Sequence, residues 1–392
     1  MHVAVLGAGY AGISLTRTLE RSLSDDVDIT LVDERETHLV QHLIHRAISH
    51  PSLEDELTVP IADLLRRATH RQARVTDVDP DTGAVELNDG SLDYDYGAVC
   101  LGAQTAFYDL PGVEEHATPL KRLSHAARIR DRFLDVCETG GRVVVGGAGL
   151  SGIQVAGELV DFARQEGADV ATDPPADDAD DDPTPSVEVR LIEQMPTVAP
   201  NFPEPFQRAV ADELDTRGVR IETGRAVEST DGETLQFADG ATVDYDQFVW
   251  TGGIAGQNAM HGDRPQVRAD LRLGERTFAV GDAARVVDSD GQPAPASAQT
   301  AVRQADVAAA NIAKLVDHTD PGSFTPRLDR YRYSELGWLV SVGDGAVAQV
   351  GGSVVRGAAA KALKTTVGAG YLGSIGAIEN ASEYVWEKVG SA

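Results

Sequence analysis

The run Arg142–Leu159, R-V-V-V-G-G-A-G-L-S-G-I-Q-V-A-G-E-L, decides how this chain is organised. Val143–Val145 predicts a strand, Gly147, Gly149 and Gly152 a tight turn, and the Ala/Leu/Val pattern beyond them a helix. In that context a glycine triplet is the signature of a dinucleotide cradle. The glycines let the backbone approach a pyrophosphate, and the helix N-terminus offers free N–H groups and a positive dipole end. A second triplet stands at the start of the chain, H-V-A-V-L-G-A-G-Y-A-G, with Gly7, Gly9 and Gly12. Two cradles predict an α/β protein with two Rossmann-like, three-layer dinucleotide-binding domains, their two ligands facing each other.

Working outward, Val3–Leu6, Tyr10–Arg21 and Asp28–Asp33 predict a strand–helix–strand unit. Asp33 closes it 21 residues after Gly12, where an acid meets a ribose 2′-hydroxyl. Glu34 is the alternative. In the second unit the next strand, Val187–Glu193, arrives late, because residues 167–186 intervene. That segment is acidic and proline-rich and is expected to be a solvated insertion. Without it Glu193 regains the spacing of Asp33 and becomes the second ribose-binding acid. A carboxylate there favours NADH over NADPH, whose 2′-phosphate it would repel.

Charge narrows the function classes. There are 62 acids against 34 Lys plus Arg, a net charge of −28, and the lysines are confined to Lys121, Lys314, Lys361, Lys364 and Lys388. Acids exceed bases outside the insertion as well, so the composition points to adaptation to high salt. No basic stripe exists for nucleic acid. Cys100 and Cys137 form no close pair and predict buried packing. The chain opens directly on a strand and has no apolar run of membrane-spanning length, so a cytoplasmic protein, at most lying on a membrane, is expected. His38, His42, His45 and His50 lack zinc-type spacing and predict ordinary surface or pocket histidines, with no metal site.

Residues 72–105 predict a meander: Ala73–Val78, Ala84–Leu87, Leu92–Tyr94 and Tyr96–Leu101, ending at Gly102. Helices are expected over Pro119–Glu138, Glu204–Arg217 and Ala298–Val316, and strands over Gln247–Thr251, before Gly252, and Thr277–Val280, before Gly281 and Asp282. Trp250 and Trp338 predict core packing. From Tyr331 the chain becomes a Gly-rich, mildly apolar tail.

In this order the motifs resemble the two-dinucleotide-domain flavoproteins and, within them, the type II NADH dehydrogenases. The carriers are G-A-G-Y-A-G at 7–12, L-G-A-Q-T-A-F-Y-D-L-P-G at 101–112, G-G-A-G-L-S-G at 146–152, F-A-V-G-D-A-A at 278–284, A-Q-T-A-V-R-Q at 298–304 and Y-R-Y-S-E-L-G at 331–337. The resemblance implies FAD on Gly7, Gly9, Gly12, Asp33 or Glu34, Gly102, Gly281, Asp282, Ala298 and Gln299. It implies NADH on Gly147, Gly149, Gly152, Glu193 and Gly252. Gln154 would lie near the nicotinamide and Gln299 near a quinone. The implied division is a FAD-binding domain in two parts (1–110 and 256–330), an NADH-binding domain (111–255) and a C-terminal segment (331–392) for membrane, quinone or dimer contact. Three departures stand out. Gln154 replaces a common glutamate, Arg303 a common glutamine, and the tail lacks the bulky amphipathic faces of family anchors, although three of the five lysines lie there.

Hydride transfer between two bound rings needs alignment and little acid–base help. Alternatives are a soluble NADH-dependent reductase of a protein or small acceptor, and a flavin-bearing NADH sensor of the apoptosis-inducing-factor type. Sulfide:quinone oxidoreductase is a weaker rival, because its chemistry needs cysteines beside the flavin.

Overall fold

The computed structural model describes residues 1–171, 185–318 and 324–377. Both glycine turns link the expected elements: strand His2–Leu6 to helix Tyr10–Ser22, and strand Gly141–Gly146 to helix Leu150–Gln165. Each strand sits inside its own parallel sheet. The first sheet runs Thr277–Ala279, Tyr96–Val99, His2–Leu6, Asp28–Asp33, Thr69–Gln72. The second runs Thr118–Pro119, Gln247–Trp250, Gly141–Gly146, Ser186–Glu193, with Asp169–Val170 and Arg220–Thr223 both pairing with the last of these. Val3–Leu6 and Val143–Val145 are fully buried, as parallel sheets covered on both faces require. Beside each sheet lies a three-stranded antiparallel one, Val75–Asp79 to Gly90–Asp93 and Val227–Thr230 to Thr242–Asp244. Two units of the same plan therefore make up most of the chain.

Three expectations need correction. Tyr96–Val99 leaves the meander and joins the first parallel sheet. Asp95 turns the chain there, its N–H donating to His2 O at 2.9 Å and its carboxylate accepting from His2 N at 2.8 Å. The insertion is shorter than 167–186: Ala168 is buried, and Asp169–Val170 pairs with Ser186–Val187. The remainder, 172–184, lies outside the described residues. Finally, the tail is built of regular structure. Trp338–Val342, Gly345–Val350 and Ser353–Arg356 form an antiparallel sheet, followed by a helix over Ala358–Ile375.

The tail is fastened to both units. Its first turn packs on the Leu150–Gln165 helix so closely that a Cβ on Gly157 would fall 2.4 Å from Gly343 N. Asp161 fixes that turn by accepting from Asp344 N at 2.6 Å. The tail helix reaches the first unit instead, where Tyr371 Oη meets His38 Nε2 at 2.8 Å. Between the two parallel sheets the chain crosses twice, at Gln104–Thr105 and Ile254–Ala255, and the two crossings pair with each other as an antiparallel ribbon.

Candidate functional site

The two glycine turns have almost the same geometry. Gly7 and Gly147 both adopt positive φ, +104° and +95°. A Cβ on Gly12 would meet Gly7 O at 1.7 Å, and one on Gly152 would meet Gly147 O at 1.9 Å, so only glycine closes either turn. Around Gly9 and Gly149 the space is open. These two residues cap their helices without a side-chain acceptor, which leaves the first-turn N–H groups free for an anion. Asp33 (8% exposed) accepts from Ala8 N at 2.7 Å and from Arg35 N at 2.9 Å. Glu193 (7% exposed) does the same, from Ala148 N at 2.8 Å and Met195 N at 2.9 Å. Glu34 points away into an ion pair with Arg122 at 3.0 Å. Of the two adjacent acids, Asp33 is therefore the one bound to its turn.

The first cradle is completed from far along the chain. Gly281 (φ +70°) is wedged between Ala11 and Ala301, so the turn after Thr277–Ala279 abuts both the Tyr10–Ser22 and the Ala298–Val316 helices. Gln304, buried, accepts from Gly281 N at 2.8 Å and holds this turn. Asp282 lies next to it. No protein group hydrogen-bonds its carboxylate among the described residues, and burial holds that carboxyl above its ordinary value although Lys121 and Arg264 stand close. Arg264 is fixed by donating to Asp282 O at 2.6 Å and Ala284 O at 3.0 Å. Ser297 caps the Ala298–Val316 helix by accepting from Thr300 N at 3.2 Å. Gln299 sits half-buried in that helix's first turn, beside Ala298. Gly102 (φ +67°) lies three residues beyond the Tyr96–Val99 strand, just past the Cys100–Leu101 backbone that abuts Gly7. Open space at the turn, unmatched N–H groups and an orphaned carboxylate between two cations fit a dinucleotide with a polar linker, as in FAD. Sequence reasoning missed Lys121, Arg264 and Gln304's role, since their partners lie 18 or more residues away.

The second cradle opens on a cleft of about 230 Å³ lined by Gly147, Glu193, Arg225, Tyr108, Trp250 and Gly252. Trp250 is core, as expected, yet it also forms the cleft floor: a Cβ on Gly252 would strike its indole at 2.4 Å. Its Nε1 donates to Ala106 O at 2.8 Å. Gln154, on the helix after Gly152, has Nε2 at 3.5 Å from both His42 O and Ser341 Oγ, at the junction of the first unit, the second and the tail. Arg303 lies outside this junction, donating to Ser334 O.

His38, His42 and His45 are pocket histidines, and His50 is half-buried beside Glu158. His38 is fully buried, with Nδ1 2.8 Å from Ala8 O and Nε2 against Tyr371 Oη. The carbonyl fixes Nδ1 as the donor, so Tyr371 donates to Nε2. Tyr10 Oη meets His42 Nδ1 at 2.6 Å, and the Tyr10 and Tyr371 rings lie 4.7 Å apart. Burial lowers the His38 imidazole to about 4. Burial, with help from nearby Lys364 and His38, lowers His42 to about 3. His45 is buried too, its Nε2 3.0 Å from Ser341 Oγ. These rings form a neutral lattice that ties the tail helix to the first glycine turn.

The pattern of the pyridine nucleotide-disulphide oxidoreductases matches residues 1–305. The chain belongs to that family. Among similar proteins, the type II NADH:quinone oxidoreductase of Staphylococcus aureus is 26% identical over 96% of both chains. Among solved structures, NDH2 from Plasmodium falciparum in complex with NADH is similar with a TM-score of 0.79 at 15% identity, covering 99% of this chain and 97% of that one. The sulfide:quinone oxidoreductase of Aquifex aeolicus follows with a TM-score of 0.77 at 18% identity, covering 97% and 92%. These likenesses establish the oxidoreductase fold. In this oxidoreductase both cysteines are buried, and burial raises Cys137 to about 11 and Cys100 further, so neither is a ready thiolate.

Proposed function

We propose that this oxidoreductase takes hydride from NADH and passes two electrons to a quinone through bound FAD. The observation that carries the proposal is the duplicated cradle: two glycine turns, each locked to its own strand-end acid, at the meeting of two sheets. Full-length likeness to a type II NADH:quinone oxidoreductase supports the choice of acceptor. When bound, FAD supplies the two-electron relay between donor and acceptor.

The chain's own residues position the two ligands. Gly7, Gly9 and Gly12 bring helix N–H groups to the FAD pyrophosphate, while Asp33 takes the ribose. Gly102, Gly281 and Asp282 receive the ribityl side, with Lys121 and Arg264 offsetting its charge. The helix N-terminus at Ala298 and Gln299 would help hold the flavin ring, its dipole favouring negative charge there. Gly147, Gly149, Gly152 and Gly252 seat NADH, and Glu193 selects it over NADPH. Gln154 would lie near the nicotinamide as an uncharged hydrogen-bonding group. No helix among the described residues is long and apolar enough to cross a membrane. Contact with a bilayer would therefore be peripheral, through the lysine-bearing tail, and in the high-salt setting we infer from the acidic composition it would rest on shape more than charge. The tail is also the segment we assign to any dimer contact.

Sulfide oxidation is the less suitable reading, because neither buried cysteine offers a thiolate. The test is to purify the full chain in molar salt, add NADH and follow flavin bleaching with and without a soluble quinone. Rapid bleaching and quinone-dependent reoxidation are expected. Turnover with dyes or a protein acceptor but none with quinone would overturn the acceptor assignment, and a slow, long-lived reduced state would favour a sensor.

A further inference from the structure

The cleft at Glu193, about 230 Å³, falls below the roughly 300–1,000 Å³ of pockets that enclose drug-sized ligands, and a dinucleotide exceeds those ligands. A nucleotide seated there would extend along the wall, and any part of that wall free to move would set how it enters. Most of that wall is held. Trp250 is bonded to Ala106 O, and Glu193 to two backbone N–H groups. Arg225 is fixed between Glu222 at 3.2 Å and the face of Phe237 at 5.2 Å. Tyr108 is different. It is 60% exposed, and its one hydrogen bond among the described residues is long, Oη to Gly252 O at 3.4 Å. Its ring lies against Gly253, where a Cβ would come within 1.9 Å of Oη. Both Tyr108 and Asp109 sit in the left-handed region, φ 55° and 54°, a conformation tyrosine adopts uncommonly. The next turn is pinned by Thr230 N donating to Pro111 O at 3.0 Å, so motion is confined to the residues before it.

We propose that Tyr108 gates the nucleotide cleft: its ring rests on Gly252–Gly253 in the free protein, turns away to admit NADH, then closes over the bound nucleotide. This rests on the assignment of the cleft to NADH. The two roles of the side chain separate by substitution. Tyr108→Phe keeps the covering ring and removes the bond that holds it shut, so association speeds up, because less of the protein waits in the closed state. Tyr108→Ala removes the cover, so dissociation speeds up.

The experiment mixes FAD-loaded, oxidised full chain with NAD⁺ and follows tryptophan fluorescence by stopped flow, Trp250 being the reporter in the cleft floor. NAD⁺ delivers no electrons, so binding is read without turnover. Tyr108→Phe is expected to raise the association rate about two- to ten-fold, the worth of one hydrogen bond. Tyr108→Ala is expected to raise the dissociation rate about ten-fold, the worth of a stacked ring. Wild-type rates in both variants would overturn the gate, as would slower association in Tyr108→Phe. If Tyr108→Ala fails to fold, the association rate of Tyr108→Phe alone decides. A wild type that binds no NAD⁺ would instead overturn the cleft assignment, and the gate with it.

Discussion

The two glycine cradles share a backbone and differ in what covers them. Around Gly7–Gly12, Gly281 presses on Ala11, Gln304 braces Gly281, and the tail helix reaches His38 and through it Ala8. Around Gly147–Gly152 the matching space is a cleft whose cover is an exposed tyrosine. On the proposed assignment the same turn chemistry would serve a ligand that stays in the first cradle and one that comes and goes in the second, with the surrounding chain making the choice. That comparison can be broken by substitution.

The largest effects are expected at the glycines that close the turns. Gly12→Ala should yield colourless protein, because the added methyl overlaps Gly7 O. Gly152→Ala should stay yellow and lose bleaching by NADH. Visible flavin absorbance before and after NADH distinguishes the two, and equal loss of colour in both would end the assignment of one cradle per ligand. Next come the acids. Glu193→Ala should weaken NADH binding by about 10- to 100-fold and leave FAD retention little changed, and Asp33→Ala should do the reverse, since each removes charged hydrogen bonds worth about 1.5–3 kcal/mol. Titration of NAD⁺ against the flavin spectrum and FAD release on dilution measure the two losses.

A third prediction concerns the lattice that covers only the first cradle. His38 and His42 have native values near 4 and 3, below the ordinary 6.5, so the unfolded chain takes up protons first as pH falls. Stability is then full above pH 6.5 and declines as pH drops towards 4, by about 1.4 kcal/mol per pH unit for each histidine. Denaturant unfolding across that range at constant high salt should show the slope, and His38→Gln should reduce it by about half. An unchanged slope would mean that the lattice is not where the protons bind. The smallest effect is expected at Glu34. Its exposed pair with Arg122 is worth about 0–1 kcal/mol, so Glu34→Ala should alter FAD retention less than about five-fold, which sharpens the choice of Asp33.

The elements nearest the glycine turns were legible because their signals are short-range. The Glu204–Arg217 and Ala298–Val316 helices have the expected bounds, and Asp33 and Glu193 fall where their spacing to the glycines puts them. The tail was not legible. Its strands are short and divided by Gly343 and Gly351, and its helix is rich in small residues with little contrast between faces, so neither period stands out. The burial of His38 was hidden for another reason: its partner, Tyr371, is 333 residues away. Tyr108 lies inside the 101–112 motif, yet local pattern does not show that its ring meets Gly253, between the Gln247–Trp250 and Ile254–Ala255 strands.

The paired crossings at Gln104–Thr105 and Ile254–Ala255 carry a mechanical consequence. Two linkers that hydrogen-bond side by side resist twist far better than two separate ones, while still allowing a bend across their width. The tail, fastened to both units, opposes that bend, so the ribbon and the tail together hold the facing halves in one alignment.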